Sequence, residues 1–128
     1  MKKCILNLLF CATAALCCAA QALAAPAQVV IIRHGEKQIY GNQLSEKGYK
    51  RAEALAWFFQ TETAVTQYGA PVAIYAAAPK NEDSSIRSVQ TVTPLARTLN
   101  ITINIGFTRG QAHKLVADLM EKCGGKTS

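Results

Sequence analysis

Cysteine is scarce where it would count. Cys4, Cys11, Cys17 and Cys18 crowd the amino-terminal end, and Cys123 alone lies beyond them. A lone thiol closes no internal disulfide, so a disulfide-stapled scaffold is excluded and stability must come from burial. The cysteines are not a zinc site either. Charge of one sign is also thin. With residues 1–24 removed, 12 basic residues face 8 acidic ones, a net charge of +4. That mild excess favours anionic partners but lacks the clustering of a nucleic-acid binder. Internal repeats are absent, and no low-complexity tract lies beyond the amino-terminal stretch.

A membrane-spanning run is missing as well. The uncharged apolar stretch from residue 5 to about residue 20 falls short of the ~20 residues a span requires. It follows Lys2 and Lys3 and runs into Ala22, Leu23 and Ala24, the three-part layout of a secretory signal cut after Ala24. None of Cys11, Cys17 or Cys18 follows the Leu-x-small order of a lipoprotein signal. The expectation is a released periplasmic or secreted protein, with a signal at 1–24, a single domain over 25–128 and no stable membrane anchor after processing.

What remains reads as alternating strands and helices. "QVVIIRHGEK" (28–37) places Val29, Val30, Ile31 and Ile32 together, apolar on both sides of the pleat, as in a central strand covered on both faces. Ser45 is a helix N-cap, followed by an apolar stripe of Tyr49, Ala52, Leu55, Ala56 and Phe59. "VAIYAAA" (72–78) forms a second strand, and Asp83 or Ser84 caps a helix with the stripe Val89, Val92, Leu95, Ala96 and Leu99, bent at Pro94. "ITINI" (101–105) is strand-like, and residues 111–122 make a third amphipathic helix through Leu115 and Leu119. His113 is a partly exposed residue of that helix, and Trp57 and Phe58 serve packing. The fold class expected is α/β, with a mainly parallel sheet and right-handed crossovers. "GGKTS" at the end resembles a turn into a further strand, so the domain is expected to be incomplete at its carboxyl end.

The chemistry concentrates where the first strand ends. Ligands of open α/β sheets bind at the carboxyl ends of strands, and Arg33 and His34 stand there, with Gly35 turning the chain away. Arginine's planar fork meets phosphate oxygens through two parallel hydrogen bonds, and an adjacent imidazole nitrogen can act as nucleophile. Arg87, in the first turn of the second helix, follows from the neighbouring strand and converges on the same edge. Glu36 adds a nearby carboxylate with a possible substrate contact, while Arg109 reads as a solvated charge.

"VVIIRHGEK", "LSEKGYKRAEALA" and "SIRSVQTVTPLARTL", in that order and spacing, resemble the compact branch of the histidine phosphatase superfamily, also called phosphoglycerate mutase-like. The resemblance spans roughly residues 28 to 105. It implies a three-layer α/β/α sandwich with His34 as phospho-acceptor and Arg33 and Arg87 as phosphate ligands, working without a metal or other cofactor on a small phosphorylated substrate or a phosphoprotein. The family pattern also has a second histidine after a later apolar strand, and in many relatives an acid between the second arginine and that histidine. Neither follows here. The alternative to an exported phosphatase is therefore a catalytically silent relative that binds a phosphate-bearing ligand.

Overall fold

The computed structural model describes residues 25–123. The expected signal at 1–24 and the expected turn at 124–128 lie outside the described residues. The elements run α1 (Glu46–Thr61), α2 (Thr63–Thr66), β1 (Ile74–Tyr75), α3 (Arg87–Leu99), β2 (Ile103–Asn104) and α4 (Ala112–Cys123). No helix among the described residues is long and apolar enough to cross a membrane.

Helix α1 starts where its capping chemistry says it should. The Ser45 Oγ accepts a hydrogen bond from the Gly48 amide at 3.2 Å, and Glu46 sits in the first turn, where a negative charge suits the helix dipole. The buried face is Gly48, Ala52, Ala56 and Phe59, with Leu55 half-buried against the core, so the expected stripe departs only at its start, where Gly48 takes the buried position and Tyr49 is exposed. Gly48 is buried because backbone, not a side chain, packs against it: a Cβ there would overlap the Glu36 carbonyl oxygen. Trp57 points outward at 70 % exposure and Phe58 is also exposed, so of the three consecutive aromatics only Phe59 enters the core.

Helix α3 carries the expected face, with Val92, Leu95 and Ala96 buried, and continues through Pro94 to Leu99. Its N-cap is Ile86, not Asp83 or Ser84, and provides no side-chain cap. Ser84 instead closes its own turn, donating from Oγ to Asn81 Oδ1 at 2.7 Å. Asn100 ends the helix in the left-handed conformation (φ 54°), a role short polar side chains tolerate. Helices α1 and α3 make the most extensive pairing in the molecule. Ala56, Phe59, Ile74, Val92, Leu95 and Ala96 form the core between them and the sheet.

The two strands pair in parallel, with Ile74 opposite Ile103 and Tyr75 opposite Asn104, and α3 is the crossover. Two further bonds, Ala76 N–H to Asn104 O at 3.0 Å and Ala78 N–H to Phe107 O at 2.9 Å, extend the contact toward the carboxyl ends. Helix α4 is held to β1 by the Tyr75 hydroxyl, which donates to Asp118 Oδ2 at 2.9 Å.

Residues 29–32 depart from the expected buried central strand. They make no strand pairing, and Ile31 is 91 % exposed. A strand covered on both faces needs neighbours to satisfy its backbone, and among the described residues β1 pairs only with β2. Between residues 29–32 and β1 lies a cavity of about 490 Å³, with Phe59, Val92, Leu95 and Leu115 among its walls.

Candidate functional site

His34 opens a loop that the rest of the molecule grips at several points. Its Nδ1 lies 2.7 Å from the carbonyl oxygen of Gly35. A carbonyl oxygen only accepts, so this contact is a hydrogen bond in the tautomer that carries its proton on Nδ1, and in that tautomer the lone pair lies on Nε2. The ring is half-buried. Gly35 is buried and packs directly on α1: a Cβ there would sit 2.9 Å from the Gly48 carbonyl oxygen. Two small residues thus let the loop after His34 lie against the first turn of α1.

The loop then runs to the Lys37–Leu44 bridge, turning at Gly41 with φ 96°. Here Arg87 does something its sequence position did not announce. Its Nη2 donates to Gly41 O at 2.7 Å and its Nε donates to Gln43 O at 3.1 Å, so the guanidinium is a strap across the loop. Of the five N–H donors of the fork, three remain for an anion. The Ile86 amide donates to Asn42 O at 3.1 Å, and the Leu44 amide donates to Gln90 Oε1 at 2.9 Å. Leu44 is fully buried beneath this clamp.

One hydroxyl joins the two halves of the site. The Gly35 amide donates to Thr91 Oγ1 at 2.9 Å, and that hydroxyl donates to Arg87 O at 2.7 Å. The residue after His34 and the backbone of Arg87 are therefore two hydrogen bonds apart. Thr91 is the sole polar or charged side chain in the buried set of the described residues, at 3 % exposure. Nothing in the sequence singles out Thr91, because a threonine inside an amphipathic helix carries no sign of what lies opposite it.

The remaining candidates are placed less centrally. Arg33 is exposed, and no hydrogen bond or ion pair is formed by its side chain among the described residues. Glu36 pairs through Oε1 with Arg51 at 2.8 Å, while its Oε2 is buried without a partner. Its Oε1 thus ties the loop to α1. Arg51 had no signal beyond its place on a charged helix face. Arg109 and His113 are exposed, and His113 lies on α4 as expected. The 490 Å³ cavity is not lined by Arg33, His34 or Arg87, so the candidate site lies outside it. No cluster of three or more metal-ligating side chains occurs among the described residues.

A second polar group ties down α4. Burial, followed by the hydrogen bond to Asp118, pushes the Tyr75 phenol up to about 12. Asp118 is lowered, chiefly by its bond to Lys122 Nζ at 2.6 Å, against a smaller opposing effect of desolvation. Cys123, a free thiol, is buried nearby.

Comparison of the chain with family models, curated proteins and solved structures gives no match.

Proposed function

We propose that the chain is an exported phosphomonoester hydrolase of the histidine phosphatase kind, built as a three-layer α/β/α domain and working through a phosphohistidine on His34. The observation that carries this reading is the 2.7 Å contact of His34 Nδ1 with Gly35 O, which favours the Nδ1–H tautomer of the imidazole, the one with its lone pair on Nε2. In the proposed reaction Nε2 attacks phosphorus, the P–O bond to the leaving alcohol breaks, and the phosphoryl group rests on Nε2. Water then attacks phosphorus, the P–N bond breaks to restore the imidazole, and the proton that water gives up balances the one taken from solvent by the departing alkoxide. Arg33 and the free donors of Arg87 neutralise the phosphoryl oxygens, each charge-assisted bond contributing about 1.5–3 kcal/mol. The uncapped amino terminus of α3 adds a field that favours the anion.

The test is covalent trapping. Mature protein is mixed with 32P-labelled para-nitrophenyl phosphate and quenched during turnover. Label that is stable in base and lost in acid marks phosphohistidine, and His34→Ala should abolish it. Label of the same stability in His34→Ala would remove His34 from the reaction. Phosphate binding that is lost in Arg33→Ala and Arg87→Ala, with neither turnover nor label in the wild type, would favour the silent binding relative.

A further inference from the structure

Thr91 sits where a side chain can set the distance between nucleophile and phosphate ligand without touching the imidazole or the guanidinium. Its Oγ1 accepts from the Gly35 amide at 2.9 Å and donates to Arg87 O at 2.7 Å. A hydroxyl is the only group of this size that can do both, having one proton to give and lone pairs to receive. The Gly35 carbonyl, on the same short stretch, receives His34 Nδ1–H. The chain of contacts is thus imidazole, Gly35, Thr91, Arg87 backbone, and every link except Gly35's own atoms is a hydrogen bond of 2.9 Å or less. Burial of Thr91 keeps water from substituting for either bond.

The same helix supplies an internal comparison. Thr93 donates to Val89 O at 2.8 Å, the identical bond to the carbonyl four residues back, yet accepts nothing from the loop. That back-bond is common for threonine in helices and needs no functional reason. What singles out Thr91 is the second bond, 56 residues away in sequence.

We infer that Thr91 is the positioning residue of the site: its hydroxyl locks the loop after His34 to the first turn of α3, holding the imidazole in register with a phosphoryl group bound by Arg87. The inference rests on the phosphatase reading for its kinetic consequence. Because Thr91 does not reach the substrate, its loss should slow chemistry and leave binding nearly untouched. A misplacement of about 1 Å is enough to cost on the order of 100-fold in rate.

The experiment compares wild type, Thr91→Val, Thr91→Ser and Thr93→Val with para-nitrophenyl phosphate, alongside the 15N shifts of the His34 ring nitrogens. Thr91→Val should lower kcat roughly 10- to 100-fold with KM within about 3-fold, and its His34 nitrogens should leave the single protonated-Nδ1 pattern. Thr91→Ser, which keeps both bonds, should restore kcat to within about 3-fold of wild type, and Thr93→Val should match wild type. Thr91→Ala replaces the valine variant should the latter not fold. A kcat for Thr91→Val within 2-fold of wild type overturns the inference. So does an equal loss in Thr93→Val. If wild type itself shows neither turnover nor label, the phosphatase reading falls, and the ring shifts decide the positioning role alone: unchanged shifts in Thr91→Val refute it.

Discussion

Gly35 and Gly48 face each other across the contact between the His34 loop and the first turn of α1. A Cβ on Gly35 would stand 2.9 Å from Gly48 O and 3.1 Å from Gly48 Cα, and one on Gly48 would overlap the Glu36 carbonyl. Both encounters are with backbone, which cannot swing aside as a side chain can. Gly48 is not needed for its torsion angles, since it lies inside a helix where alanine would be favoured by roughly 1 kcal/mol. Gly48→Ala should nevertheless destabilise the protein by about 1–3 kcal/mol, because overpacking outweighs propensity. Urea denaturation measures it. An unchanged or raised midpoint would mean that the two elements are not in contact.

Leu44 is the apolar anchor beneath the clamped loop and is wholly removed from solvent. Leu44→Ala should cost about 2–5 kcal/mol, the range for a buried leucine whose cavity only partly collapses. The same unfolding measurement applies, and a loss below about 1 kcal/mol would place Leu44 at the surface.

The Tyr75–Asp118 bond gives the carboxyl-terminal helix a pH signature. Tyr75 titrates at about 12 in the folded chain against about 10 unfolded, so its stabilising contribution is complete below pH 10 and is lost as pH rises from 10 through 12. Asp118 is depressed when folded, so its contribution is present above the unfolded carboxylate value and lost as pH falls through the lower folded value. Asp118→Asn should bring the Tyr75 midpoint down from about 12 while leaving it above 10, since burial, the largest cause, remains. Absorbance of phenolate at 295 nm, with Tyr75→Phe to assign the step, reads this out. A midpoint still at about 12 would show that Asp118 does not hold the phenol.

The exposed apolar run at 29–32 makes a prediction of the opposite kind. Ile31 is 91 % exposed, so Ile31→Lys should change stability by no more than about 0.5 kcal/mol. A loss above 1 kcal/mol would show that the side chain is buried after all.

These outcomes trace what a linear reading could and could not see. The Ser45 cap and the α3 face were legible because capping and 3.6-residue periodicity are local properties. The α1 face was legible at Ala52, Leu55, Ala56 and Phe59 but not at its start, because glycine has no side chain to register as apolar, yet Gly48 is the position where another backbone approaches. Residues 29–32 have the composition of a buried strand, but pairing belongs to the neighbours and not to the run itself. In the site, Arg33, His34 and Arg87 stand out by chemical type alone. That Arg87 straps the Gly41–Gln43 turn, that Glu36 belongs to Arg51, and that Thr91 links the two halves all depend on partners distant in sequence.

The most direct measurement of the central claim is which imidazole nitrogen carries phosphorus. Trapped phosphoprotein is digested in base, and the phosphohistidine isomers are separated and compared with standards. With Nδ1–H committed to Gly35 O, the account requires phosphate on Nε2 of His34. Phosphate on Nδ1, or on any residue other than His34, would contradict it.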